Sequence, residues 1–348
     1  MYGPFQKARH VLRGGAALVL ALLLCAAMPA RAAGVTAGGA DQDTSARMLV
    51  PVGHTVGIKL FARGVMVVKA PESGTPADDC GLQTGDIIVK CGGVSVTSSE
   101  QFQSLLQENG ETATDLQVRR EGGSVTLSVS PEQNEKGAYC IGAWIRDSMA
   151  GIGTMTYYDP ESGAFGALGH GISDSDTGAL VDIDGGELYE TQILGIEKGQ
   201  TGKPGVMSGV IYNGKGTKLG DVTENTTEGI YGTVNRHFLD SLQADAIPIG
   251  FRQDIQRGRA YIRSKVSGEV KDYEIEIQKV DYGSVQKNKG LVLKVVDEDL
   301  LNLTGGIVQG MSGSPIIQDG KLIGAVTHVF INDPTRGYGI FMENMLGH

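Results

Sequence analysis

The stretch that most constrains the fold is Gly305-Gly306-Ile307-Val308-Gln309-Gly310-Met311-Ser312-Gly313-Ser314-Pro315-Ile316-Ile317. A serine stands between glycines, with apolar, β-prone runs on both sides. The pattern reads strand, tight turn, strand. Glycine allows the unusual backbone angles that a tight turn needs and lets another backbone approach closely. A serine held in such a turn exposes its hydroxyl. The backbone N–H groups of Gly310 and Ser312 can point at one spot beside it, the arrangement of an oxyanion hole next to a nucleophile. The following residues, Gln318 to Val329, read as a hairpin turning at Asp319-Gly320.

A serine hydroxyl is a poor nucleophile until an imidazole takes its proton. The chain has six histidines. His10 lies near the start, His348 is the last residue, and His54 precedes the first folded unit. His237 lies in a weakly patterned region, and His328 sits in a strand just after the serine, as a packed or edge residue. His170 is the best base. It ends a hairpin formed by Gly151–Tyr158 and Ala164–Gly169 around the turn Asp159-Pro160-Glu161-Ser162-Gly163. A third group, usually a carboxylate, must hold the imidazole tautomer.

Composition narrows the alternatives. Fifty-two glycines and few aromatics suit short strands and many turns. The formal charge of −10, with no block of Lys and Arg, argues against a nucleic-acid partner. No C-x-x-C or H-E-x-x-H occurs, so neither a metal nor another cofactor has a motif behind it. Lys7, Arg9 and Arg13 precede the apolar run Gly14–Ala27, and small residues follow through Ala33. Residues 1–33 therefore read as a secretory signal peptide or a signal anchor through which the chain associates with a membrane. Residues 34–50 read as a linker. Export permits a Cys80–Cys91 disulfide; small buried thiols are the alternative.

Residues 51–131 form one unit of strands and a helix over Ser98–Gln107, capped by Ser98 or Ser99. Its Gly81-Leu82-Gln83-Thr84-Gly85-Asp86-Ile87-Ile88 segment carries a G-L-x-x-G-D-x-I signature. The unit resembles a PDZ domain, which implies an α+β fold that takes a peptide, often a free C-terminus, as an added strand. Gly57-Ile58-Lys59-Leu60 is the candidate carboxylate-binding loop; the alternative is that these residues are only a first strand. Residues 132–348 are a larger, mainly β domain. Gly310–Pro315 resembles the G-D-S-G-G-P segment of chymotrypsin-like peptidases, with Met311 for the aspartate and Ser314 for the third glycine. A double β-barrel follows from that resemblance. The Met311 departure argues against activation by a freed N-terminus.

Taken together, the leader, the PDZ-like unit, Gly166-Ala167-Leu168-Gly169-His170-Gly171 and Gly305–Pro315 resemble the SpoIVB serine peptidases of spore-forming bacteria over nearly the full length. The resemblance implies a chymotrypsin-like endopeptidase with Ser312 as nucleophile, His170 as base and Asp297 as acid. Asp221, 51 residues after His170, fits the usual acid spacing better and stays open as the alternative. The resemblance also implies export into the space between forespore and mother cell and self-cleavage near the N-terminus. It implies cutting of a regulatory membrane protein, which frees an intramembrane metalloprotease to process a sigma-factor precursor. Two rivals remain: a peptide-binding scaffold with an inactive peptidase-like domain, and a quality-control peptidase of the HtrA type. In peptidases that favour basic residues an aspartate stands six positions before the nucleophile. Here that position is Gly306, so a neutral or apolar residue is expected before the cut.

Overall fold

The computed structural model describes residues 47–348, apart from 70, 121, 175–177, 215, 243 and 348. The leader and nearly all of the 34–50 stretch lie outside the described residues. The end of that stretch is not linker: Met48–Pro51 is a strand paired with Ile247–Pro248 and with Tyr157-Tyr158.

Two long strands organise the rest. Thr55–Lys69 and Trp144–Tyr158 run antiparallel, with pairs from Thr55↔Thr154 to Lys69↔Trp144. The C-terminal half of the second pairs with Ala164–Ala167, and Gly229–Val234, Lys218–Thr226 and Ile183–Tyr189 complete the circuit back to the first. This closes a barrel of six strands around Val56, Ile58, Leu60, Met155, Phe165 and Leu188. A second closed barrel comprises Gly258–Ser264, Lys271–Val280, Leu291–Val295, Asp333–Phe341, Lys321–Phe330 and Pro315–Gln318. Its core includes Ile262, Ile275, Leu293, Ile316 and Phe341. The fold is thus the mainly β double barrel with a PDZ module. The expected hairpin turns where foreseen, with Asp319 at φ +50° and Gly320 at φ +74°.

The PDZ module grows from the far ends of the two long strands. Val65-Met66 pairs with Ile87–Cys91, which pairs with Thr114–Arg120 and then Gly123–Val129. The helix Ser99–Asn109 is capped as expected, the Ser98 hydroxyl accepting the Gln101 N–H at 3.1 Å. Phe102 and Leu106 are buried in the module's core, each contributing about 1.5–3 kcal/mol over exposure. The signature aspartate has a structural task. Asp86 is buried and accepts from the Gln83 N–H at 2.8 Å and from Arg120 at 2.6 and 2.7 Å.

The domain boundaries differ from the expected 51–131 and 132–348. The module's core runs from Val65 to Ile145 and includes Ile141 and Ala143. Barrel strand Thr55–Ala62 precedes it and barrel strand Ser148–Tyr158 follows it. The module is inserted into the first barrel instead of preceding it. One uninterrupted β-prone run serves both units, so no composition change marks the junction. Cys80, Cys91 and Cys140 are free thiols; no bridge joins Cys80 to Cys91.

Candidate active site

The serine loop lies where the two barrels meet. Gly310, Gly313 and Gly305 have φ of +103°, +95° and +74°. A Cβ on Gly313 would come within 2.0 Å of the Thr154 carbonyl and 2.5 Å of the Leu168 nitrogen. Glycine at 313 therefore lets the loop press against the first barrel. Thr154 ties it there. Its N–H donates to the Ser312 carbonyl at 3.0 Å, and its hydroxyl donates to the Gly310 carbonyl at 2.8 Å. Inside the loop, the N–H groups of Met311, Gly313 and Ser314 donate to Val308, Val326 and Met311 carbonyls. Met311 itself is fully buried in the second barrel's core, which explains an apolar residue where the resemblance has aspartate.

His170 follows the barrel strand Ala164–Ala167 and lines the same cleft as Ser312. Leu168 and Gly169, with φ of +69° and +70°, turn the chain so that it does. The ring's Nδ1–H donates to the Gly171 carbonyl at 2.9 Å, which leaves Nε2 as the basic nitrogen. Burial pushes the imidazole below its ordinary value, opposed by that hydrogen bond, so the ring is neutral at neutral pH. The Ser312 hydroxyl donates to the Thr327 carbonyl at 2.7 Å. The cleft, about 510 Å³, is further lined by Ile152, Ile307, Val308, Val329 and Ile331.

A serine in a glycine turn and a neutral imidazole in one apolar cleft between two six-stranded barrels is peptidase architecture. The family model SpoIVB peptidase S55 matches residues 137–346, and a PDZ domain model matches residues 67–120. The chain belongs to the SpoIVB peptidase S55 family. It is also similar to serine protease HTRA1 of Xenopus tropicalis, 41% identical over 61 residues, covering 18% of this chain and 13% of that protein. The zinc metalloprotease RasP of Oceanobacillus iheyensis is 36% identical over 61 residues, 18% of this chain and 14% of RasP. The chain thus spans about a seventh or less of these two relatives. Among solved structures, an HtrA-type protease with a decapeptide covers 84% of this chain and 61% of its own at 12% identity and a TM-score of 0.37.

Within this S55 chain, neither expected acid meets the base. Asp297 caps the helix Glu298–Thr304, its Oδ1 accepting the Leu300 N–H at 2.9 Å and its Oδ2 accepting the Glu274 N–H at 3.2 Å. Both oxygens are spent in the second barrel, while His170 Nδ1 turns to Gly171. Asp221 is half-exposed, paired with Lys218 at 2.7 Å on the strand Lys218–Thr226. The expected carboxylate loop is likewise corrected. Gly57–Leu60 lies within the first long strand, paired on one side with Gly151-Ile152 and neighbours and on the other with Gly186–Tyr189. Both edges are occupied, so no terminal carboxylate can dock there.

His328, expected as a packed or edge residue, packs on His170 with ring centroids 5.0 Å apart. Sequence reasoning gave Asn225 no role. Asn225 anchors the base loop: its Oδ1 accepts from the Ile172 N–H at 2.8 Å, and its Nδ2 donates to the Ile172 and Val181 carbonyls at 2.9 Å each. Asn225 lies 53 residues from Ile172, and barrel closure brings the two together, so no local sequence signal marks it.

Proposed function

We propose that this chain is an exported serine endopeptidase that cuts itself near the N-terminus and cuts a regulatory membrane protein. That cut would free an intramembrane metalloprotease to process a sigma-factor precursor. Family membership supports the peptidase class, and the leader-like residues 1–33 support export and membrane association; the space between forespore and mother cell is the destination that the family resemblance implies. The observation that carries the reading is the His170 ring, whose Nδ1–H is committed to Gly171 and whose Nε2 is left basic in the cleft that Ser312 lines.

The chemistry follows from these groups. The Ser312 hydroxyl turns from Thr327 toward Nε2, which takes its proton as Oγ attacks the carbonyl carbon of the scissile bond. The Gly310 and Ser312 N–H groups face the oxyanion that forms. The imidazolium then protonates the leaving amine, and an acyl-enzyme on Ser312 remains. Water, deprotonated by His170, releases the acid and restores the serine. The Gly171 carbonyl holds the ring's tautomer, the office a carboxylate usually fills.

An intact-mass time course of the purified protein, against Ser312→Ala and His170→Ala variants, tests this. Cleavage by the parent alone, with fluorophosphonate labelling at Ser312, is the expected result. Near-normal cleavage by folded Ser312→Ala would overturn the serine mechanism. A parent that neither cleaves nor labels would leave a peptide-binding scaffold.

A further inference from the structure

The carbonyl that orients the base belongs to a peptide group whose other end is also held. His170 Nδ1–H donates to the Gly171 carbonyl at 2.9 Å. That carbonyl shares one rigid plane with the Ile172 N–H, which donates to Asn225 Oδ1 at 2.8 Å. Ring, peptide and side-chain amide thus form one continuous chain of hydrogen bonds. Asn225 takes the far side of Ile172 as well. Its Nδ2 donates to the Ile172 carbonyl and to the Val181 carbonyl, at 2.9 Å each. Only one orientation of the amide meets an N–H with its oxygen and two carbonyls with its nitrogen.

The sequence explains why such a brace is needed. A Cβ at position 171 would lie 2.3 Å from the Thr226 carbonyl oxygen and 2.3 Å from Leu180 Cδ1, so glycine fits there and a larger residue does not. Glycine leaves the peptides on either side of it free to rotate. Unbraced, the Gly171–Ile172 peptide can turn its carbonyl away, and Nδ1 then loses its acceptor. Asn225 stands on the strand Lys218–Thr226, paired with Ile230 across the sheet. The strand whose Thr226 carbonyl forces glycine at 171 therefore also carries the amide that removes glycine's freedom. A bond to the N–H end of a peptide polarises its carbonyl too, which strengthens the acceptor facing Nδ1 as the ring becomes an imidazolium.

Resting on the peptidase reading, we infer that Asn225 is the third member of this base system, a positioning residue that acts on His170 through the Gly171–Ile172 peptide. It achieves at one remove what a triad carboxylate achieves by direct contact: it holds the Nδ1–H tautomer and supports the imidazolium. No proton passes to Asn225, whose amide stays neutral throughout. Asp297 and Asp221 are then left to the helix cap and the Lys218 pair that the structure gives them.

Two substitutions separate this role from simple anchoring of the loop. Asn225→Leu keeps the volume and removes all three bonds. Asn225→Asp keeps an oxygen for the Ile172 N–H and removes both donors. Each is compared with the parent in protein whose circular dichroism is unchanged, with Asn225→Ala serving where the leucine variant does not fold. Nitrogen NMR of the histidine rings in a Ser312→Ala background reads the His170 tautomer without hydrolysis, and steady-state kinetics on one peptide reads kcat and KM. The parent's neutral His170 should carry its proton on Nδ1. Asn225→Leu should mix the two tautomers and lower kcat by about tenfold or more, with KM nearly unchanged. Asn225→Asp should keep the Nδ1–H tautomer and most of the rate. A tautomer and kcat untouched in Asn225→Leu overturn the inference. So does an Asn225→Asp protein that loses as much as Asn225→Leu, because Asn225 then anchors the loop through its donors alone. A parent that never hydrolyses, but whose His170 tautomer depends on Asn225, supports the brace and retires the peptidase reading instead.

Discussion

Thr154, in the first barrel, donates its hydroxyl to the Gly310 carbonyl of the serine loop at 2.8 Å, across 156 residues of sequence. The bond fixes the direction of the peptide that carries the proposed oxyanion donor, and Thr154 is fully buried. Thr154→Val keeps the shape and removes the donor, leaving a buried carbonyl unsatisfied at a cost of about 1–3 kcal/mol. Spent on orientation, that corresponds to a fall of about 10- to 100-fold in kcat with little change in KM. Thr154→Ser should restore most of the rate. Steady-state kinetics on one peptide for the three proteins checks this, and an equal loss in Thr154→Ser would remove the hydroxyl from the account.

Asp297 permits a sharp test of the acid. As a helix cap it can be replaced by asparagine, whose single amide oxygen keeps the cap to Leu300 and gives up the Glu274 bond, whereas alanine loses the cap as well, at about 1 kcal/mol of stability. Asp297→Asn is therefore expected to keep activity within a few-fold, and Asp297→Ala to lower the denaturation midpoint. As a triad acid, Asp297→Asn would lose about four orders of magnitude in kcat. Activity and urea melts of both variants decide between the two assignments.

The serine loop and its hairpins could be read from local pattern, because glycine turns and alternating apolar runs act over short distances, whereas the double barrel came from the resemblance. The Asp159–Gly163 hairpin turn and the Ser98 cap were legible for the same reason. What escaped was set by closure. Gly57–Leu60 looks the same whether it forms a loop or a strand paired on both edges, and only Tyr189 and Ile152 arriving from afar distinguish them. Asp297 has the acid's role only by the family resemblance, which carries a role but not the direction of a carboxylate; the structure turns that carboxylate to the Leu300 N–H as a helix cap.

Acid should act on this protein in two ways. Burial first, then the charges of His170 and Lys289, push His328 down to about 4. His170 is also lowered, by burial. Both rings are neutral when folded near pH 7. In the unfolded chain they protonate near the ordinary histidine value, so the unfolded state binds more protons as pH falls through that range. Their contribution to stability is present above about pH 6.5 and is lost as pH falls toward the folded values. The urea midpoint should drop between pH 7 and pH 4.5, and drop less in His328→Gln. The acid limb of kcat/KM should lie below the ordinary histidine value. An acid limb above it would contradict a base desolvated in the cleft.

Specificity before the cut can be argued from Gly306. A Cβ there would come within 2.1 Å of the Pro334 carbonyl, and the backbone holds φ at +134°. No aspartate can stand at that position without moving the strand Asp333–Phe341. The cleft walls are Ile307, Val308, Val329 and Ile331, and among the described residues no Asp, Glu, Lys or Arg lines them. Bringing an Arg or Lys side chain out of water costs several kcal/mol unless a carboxylate meets it, and none does. A peptide library varied at the residue before the cut should therefore favour apolar and other neutral side chains over Arg and Lys by at least about tenfold, about 1.4 kcal/mol in the transition state. Ile307→Asp, which places a carboxylate on the wall, should narrow that gap. A strict Arg or Lys preference in the parent would mean that another loop brings a carboxylate into the cleft when substrate binds.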